Sequence, residues 1–312
     1  MNRNVEPRIQ KLKEDRDAVI LAHNYQVDSV QNMADYVGDS LGLSRRAAET
    51  EAEVIVFCGV HFMAETAALL NPDKTVLIPD PEAGCPMASM TTAERVRQMR
   101  RENPGAAVVC YVNSTAGVKA ASDICCTSSN AVEVVSSFDP GRPIIFTPDR
   151  YLGGYVARRT GRKLILDNGY CPTHASILPE HIAELKKSYP EAEVMVHPEC
   201  RPETVAMADV VESTGGMVRH ARESGAPVLI VGTEVGLLYR LREENPDKEF
   251  LPVTPAAVCQ NMKRITRQKV IRSLETMQHR VTVSEEIAAP AREAIERMLN
   301  LKADAAPVHS GA

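Results

Sequence analysis

What most constrains the fold of this 312-residue chain is a pattern of about 86 residues that occurs three times. Short apolar, β-branched runs alternate with helical patterns throughout, as in parallel sheets with crossover helices. The first set of expected strands is Val19–Ala22, Tyr36–Val37, Val54–Phe57 and Val76–Ile78. The second is Val108–Tyr111, Ile124–Cys126, Ile144–Phe146 and Leu164–Leu166. The third is Val194–Val196, Val210–Val211, Val228–Val231 and a weaker Phe250–Val253. Residues just past these strands keep register. His23, Asn24 and Tyr25 follow the first strand of the first set, as Tyr111, Val112 and Asn113 do in the second and His197, Pro198 and Glu199 in the third. Asp39 and Ser40, Thr127 and Ser128, and Ser213 and Thr214 follow the second strands, and Cys85, Cys171 and Cys259 follow the fourth.

The expected fold is therefore α/β, with three pseudo-threefold-related, Rossmann-like αβα units around a central site. Each unit carries a parallel four-stranded sheet. The expected boundaries are 1–91 together with a C-terminal segment 266–302, then 92–178 and 179–265, with a frayed tail at 303–312. Helical punctuation agrees: Pro179 opens and Pro190 follows a stretch with Ile182, Leu185 and Tyr189 on one face. Ile287 to Leu301 reads as a final amphipathic helix.

Composition narrows the function. A net charge of −5, five Phe, eight Tyr and no Trp give neither a basic footprint nor stacking platforms for nucleic acid. The charged stretch Met1–Arg16 is unlike a signal peptide, and no apolar run approaches a membrane span. Eight cysteines without an export signal are expected as thiols or metal ligands, in the cytoplasm.

Ligands of parallel sheets bind beyond the carboxyl ends of the strands, where all the repeated positions fall. Three symmetry-related cysteines in Gly/Pro-flanked loops point to metal or cluster ligation. No C-x-x-C pair typical of structural zinc is present. Three thiolates suit an iron–sulfur cubane with one iron left open as a Lewis acid, and zinc with an open position is the competing assignment. Cys58, Cys110, Cys125 and Cys126 are expected to pack in the core, and Cys200 has no cysteine at its repeat mates. Ser40, Ser128 and Thr214 begin or precede helices, where they serve an anion or simply cap the helix. His23, Tyr25, Tyr111, Asn113, His197 and Glu199 form an acid–base inventory, with His174 in a supporting position.

Six segments together resemble the quinolinate synthase family. They are Ile20–Gln26 (ILAHNYQ), Gly84–Met87 (GCPM), Asp123–Asn130 (DICCTSSN), Asn168–His174 (NGYCPTH), His197–Cys200 (HPEC) and Glu212–Met217 (ESTGGM). The resemblance runs from about residue 8 to 300. It implies a transferase of de novo NAD biosynthesis that condenses iminoaspartate with dihydroxyacetone phosphate to quinolinate, releasing phosphate and two waters. It also implies a [4Fe–4S] cluster on Cys85, Cys171 and Cys259, and a functional link to L-aspartate oxidase. Substrate contacts implied are His23, Ser40, Tyr111, Val112, Asn113, Ser128, His197, Pro198, Glu199 and Thr214. Tyr25, Glu199, Tyr111 and His197 are the implied catalytic residues. Two readings from other classes stand beside it: a zinc-dependent hydrolase or lyase using the same three-cysteine site, and a non-catalytic small-anion binding protein.

Overall fold

The computed structural model of the chain describes residues 7–301. All twelve expected strands are present, each within a residue or two of its expected bounds. The first sheet holds β1 (Ala18–His23), β2 (Tyr36–Gly38), β3 (Val54–Cys58) and β4 (Thr75–Leu77). The second holds β5 (Ala107–Tyr111), β6 (Ile124–Cys126), β7 (Ile144–Thr147) and β8 (Leu164–Leu166). The third holds β9 (Glu193–Val196), β10 (Val210–Val211), β11 (Val228–Gly232) and β12 (Glu249–Pro252). Each sheet is parallel, in the spatial order second, first, third, fourth. The order reverses direction at the first strand, which opens a crevice at the carboxyl ends of the first and third strands.

The residue types explain the layering. β3, β5 and β7 are buried at every position, as strands covered on both faces must be, and they read as unbroken apolar runs. The outer strands β8 and β10 are only half-buried. The first and third units share one continuous apolar core, in which Ile20, Leu21, Val56 and Leu77 are continuous with Met195, Leu229, Leu241 and Phe250. A second core fills the middle unit.

The C-terminal segment, expected to belong with the first unit, divides between two. Helix Arg267–Thr276 packs on helix Pro7–Arg16 and β3 of the first unit, and Val281 donates its amide to Val76 at 2.8 Å. Helix Glu285–Asn300 instead lays Ala288, Ala291, Ala294, Ile295 and Met298 into the core of the middle unit, against β6 and helix Ala116–Ala120, and it also touches helix His61–Leu70. It thus straps the first unit to the second. An amphipathic face shows that a helix must be covered but not by what. The tail at 303–312 lies outside the described residues. Among the described residues, no helix is long and apolar enough to cross a membrane.

Ile295 is fully buried in that strap. Truncation to alanine is expected to cost about 2–4 kcal/mol in urea unfolding, as for other large-to-small core changes.

Candidate active site and cysteine centre

The carboxyl ends of the three sheets surround one cavity that opens to solvent. His23, Tyr25, Ser40, Tyr111, Asn113, Ser128, His197, Glu199 and Thr214 line it, together with Cys85, Cys171 and Cys259. Val112 and Pro198 are buried and do not line it. Val112 donates its amide to Cys126, and its side chain faces a small adjoining pocket.

Two of the strand-end turns are built alike. His23 Nδ1 accepts the Tyr25 amide at 3.2 Å, and His197 Nδ1 accepts the Glu199 amide at 3.3 Å. Burial lowers the pKa of His23 to about 4 and that of His197 to about 3, the latter helped by the charge of His174. Both rings are therefore neutral at neutral pH. With Nδ1 used as an acceptor, each must carry its proton on Nε2. For His197 that nitrogen is 3.2 Å from Ser128 Oγ.

Glu199 is the hub. Its Oε1 accepts from the Tyr111 hydroxyl at 2.5 Å and more loosely from Asn113 Nδ2 at 3.4 Å. Its Oε2 lies 2.7 Å from His174 Nδ1. Burial alone would raise its pKa, but the charges of His174 and His197 and hydrogen bonds from His174 and Tyr111 hold it down, to about 2. Burial and the Glu199 charge push the Tyr25 and Tyr111 phenols well up, so both stay protonated.

His174 is the residue that sequence reasoning undervalued. Its Nε2 meets Tyr25 Oη at 3.2 Å and Thr233 Oγ1 at 2.9 Å, and Tyr25 and Thr233 are 2.6 Å apart. Its ring stacks on His197 at 4.6 Å. A continuous path results, from Tyr25 through His174 to Glu199 and Tyr111, drawing on all three units. Thr233 was missed because its repeat mates, Gly59 and Pro148, carry no hydroxyl.

The hydroxyl set resolves a second question. The cap of helix Ser40–Glu49 is Asp39, which accepts from the Gly42 amide, and that of helix Thr214–Glu223 is Ser213, which accepts from the Gly216 amide. Ser40 and Thr214 are thus spared from capping and line the cavity. Thr214 Oγ1 accepts from Asn24 Nδ2 at 2.9 Å. Asp39, Ser129 and Ser213 join all three units, with Ser129 Oγ donating to Asp39 at 2.7 Å and lying 2.9 Å from Ser213 Oγ.

The three repeat cysteines are half-buried and the other five are buried, Cys200 included. Burial pushes all three thiols up, Cys85 to about 12, so they hold negative charge only against a cation. The compact donor triad among the described residues is Cys171, His174 and Glu199, with ligand atoms within 4.8 Å of one another. The 2.7 Å between His174 and Glu199 is a hydrogen bond, too short for two donors sharing a tetrahedral zinc with bonds of about 2.0–2.1 Å.

Acid should destabilise this centre. Unfolded histidine binds its proton near 6.5, whereas His23 and His197 stay neutral in the fold down to about 4 and about 3. The unfolded state therefore binds more protons over that window, and stability falls as pH drops through it. Urea unfolding between pH 7 and 4 is expected to show a loss of up to about 1.4 kcal/mol per pH unit for each histidine. His23→Gln is expected to flatten that slope by one histidine's share.

A match to the family described as quinolinate synthetase A protein spans residues 7–300. A quinolinate synthase of Dehalococcoides mccartyi (strain CBDB1) is 58% identical over 294 residues, covering 94% of this chain and 97% of that protein. The quinolinate synthase of Geobacter sp. (strain M21) is 53% identical, covering 95% and 97%. Quinolinate synthase 2 of Methanosarcina acetivorans is 51% identical, covering 96% of each. With the three-unit fold and its shared cavity, these matches establish that the chain belongs to the quinolinate synthetase A family.

Proposed function

We propose that the cavity condenses iminoaspartate with dihydroxyacetone phosphate to quinolinate, releasing phosphate and two waters, in de novo NAD biosynthesis. The observation that carries this reading is the hydrogen-bonded path from Tyr25 through His174 to Glu199 and Tyr111, on the wall of the cavity that the three cysteines share. Condensation, isomerisation, imine closure and dehydration each move protons, and one cavity must supply acids and bases for all of them.

The donor set fits a [4Fe–4S] cluster. Three thiols, one from each unit, face the same space, and thiolate is the ligand such clusters take. Cys85, Cys171 and Cys259 would hold it, and an iron without a protein ligand would supply Lewis-acid chemistry toward substrate oxygen.

The chain's own residues do the rest. Ser40, Ser128 and Thr214 offer hydroxyls to the anionic substrates, and the Nε2–H groups of His23 and His197 donate to their oxygens. Asn113 Oδ1 is buried without a partner and suits a substrate N–H or O–H. Glu199, held as a carboxylate, accepts a proton from carbon or nitrogen. Tyr25, kept protonated, gives one to a departing hydroxyl and recovers it through His174. The eight free thiols suit a reducing cytoplasm, and an L-aspartate oxidase would supply the unstable imine.

Glu199→Gln and Tyr25→Phe, assayed anaerobically for quinolinate, are each expected to lower turnover by about 10²–10⁴-fold. Iron content should be retained in both. Unchanged turnover in either variant would overturn its role.

A further inference from the structure

Beyond the acid–base path, we infer that Asp149 and Glu234 are positioning residues that clamp the backbone amides of two of the three cysteines, leaving Cys85 without such a clamp. The inference rests on the cluster reading above and concerns how the protein holds the ligand loops.

A backbone bond made three times defines the position. The amide after each third-strand turn donates to the carbonyl two residues before the cysteine. These bonds are His61 to Ala83 at 2.7 Å, Arg150 to Gly169 at 2.8 Å and Val235 to Ala257 at 3.0 Å. They place Val60, Asp149 and Glu234 at equivalent sites. Asp149 Oδ2 accepts the Cys171 amide at 2.8 Å, while Oδ1 accepts the Tyr151 and Leu152 amides at 2.6 and 2.9 Å and so caps the following helix. Glu234 Oε1 accepts the Cys259 amide at 3.1 Å and Oε2 the Gly236 amide at 2.8 Å, with Lys263 Nζ 2.8 Å from the same carboxylate. Both acids are at most 1% exposed. The Val60 side chain offers no acceptor, and among the described residues the Cys85 amide itself has no carboxylate partner; that loop is held further back, where Asp80 accepts the Glu82 amide at 2.8 Å and pairs with Lys269 at 2.6 Å.

Hydrogen bonds from amides to a buried carboxylate are among the stronger ones. Here they tie the cysteine backbone to the start of the element packed against it. Groups of this kind, one step behind the ligands, orient them, and their loss commonly costs metal sites 10–100-fold in affinity. The clamp also takes up the Cys171 and Cys259 amides, so that of the three cysteines' own amides only that of Cys85 is left without a carboxylate.

Asp149→Asn separates the clamp from the cap. An amide side chain has one oxygen: it can keep the two capping bonds but then presents NH₂ to the Cys171 amide. Glutamate already serves at 234, so Asp149→Glu is the conservative exchange.

The test uses iron-loaded protein prepared anaerobically and challenged with a chelator. Iron loss is followed by absorption, and released thiols are alkylated and mapped by mass spectrometry. In the unmutated protein Cys85 is expected to be labelled first. Asp149→Asn and Glu234→Gln should lose iron about tenfold faster, with Cys171 or Cys259 now labelled as early as Cys85, while Asp149→Glu stays near the unmutated rate. Equal labelling of the three cysteines in the unmutated protein overturns the inference, whether or not the variants fold. So does unmutated behaviour in both neutral variants. Unmutated protein that takes up no iron overturns the cluster reading and the clamp together, whereas iron-loaded protein indifferent to these changes overturns the clamp alone.

Discussion

A parallel sheet ordered second, first, third, fourth leaves its free crevice where the chain reverses direction, beyond the carboxyl ends of its first and third strands. Three such sheets point their crevices at one another here. Everything at the centre depends on that convergence. It lets an acid from the third unit meet a phenol from the second and, through His174, a phenol from the first. It also lets three cysteines, none nearer than about 86 residues to the next, face one cavity.

Convergence sets the electrostatics as well. The chain is acidic, with a net charge of −5, yet the substrates proposed for its cavity are anions. The groups there are tuned by burial more than by formal charge. His23 and His197 are neutral donors, Tyr25 and Tyr111 stay protonated, and Glu199 is held ionised. Carboxyl and phenol are thus held in fixed charge states a few ångströms apart, the one an acceptor and the other a donor of hydrogen bonds. Buried thiols that resist ionisation complete the picture, since they call for a cation to hold them as thiolates.

The strands and the strand-end positions were legible because they repeat. Buried parallel strands must be apolar, and ligands must sit past their ends, so β3, β5 and β7 and the His23, Tyr111 and His197 turns announce themselves three times over. What failed to repeat stayed hidden. Asp149 and Glu234 share a position with Val60, and Thr233 shares one with Gly59 and Pro148, so matching by residue type passed over them. His174 looked peripheral because the turn after Cys171 swings it between Tyr25 and Glu199, and its contact with Tyr25 spans 149 residues, which no local pattern encodes. The same holds for the final helix, whose apolar face was evident but whose partner in the middle unit was not. The choice between capping and ligand contact at Ser40 and Thr214 turned on one residue of register, which only coordinates supply.

A cluster held by three cysteines from three units beside the acid–base path can be sought by iron and sulfide analysis with Mössbauer spectroscopy of anaerobically prepared protein. About four irons and four sulfides per chain are expected, with one iron spectroscopically distinct because three thiolates leave it without a protein ligand. A single zinc, or no metal after anaerobic reconstitution, would contradict that expectation.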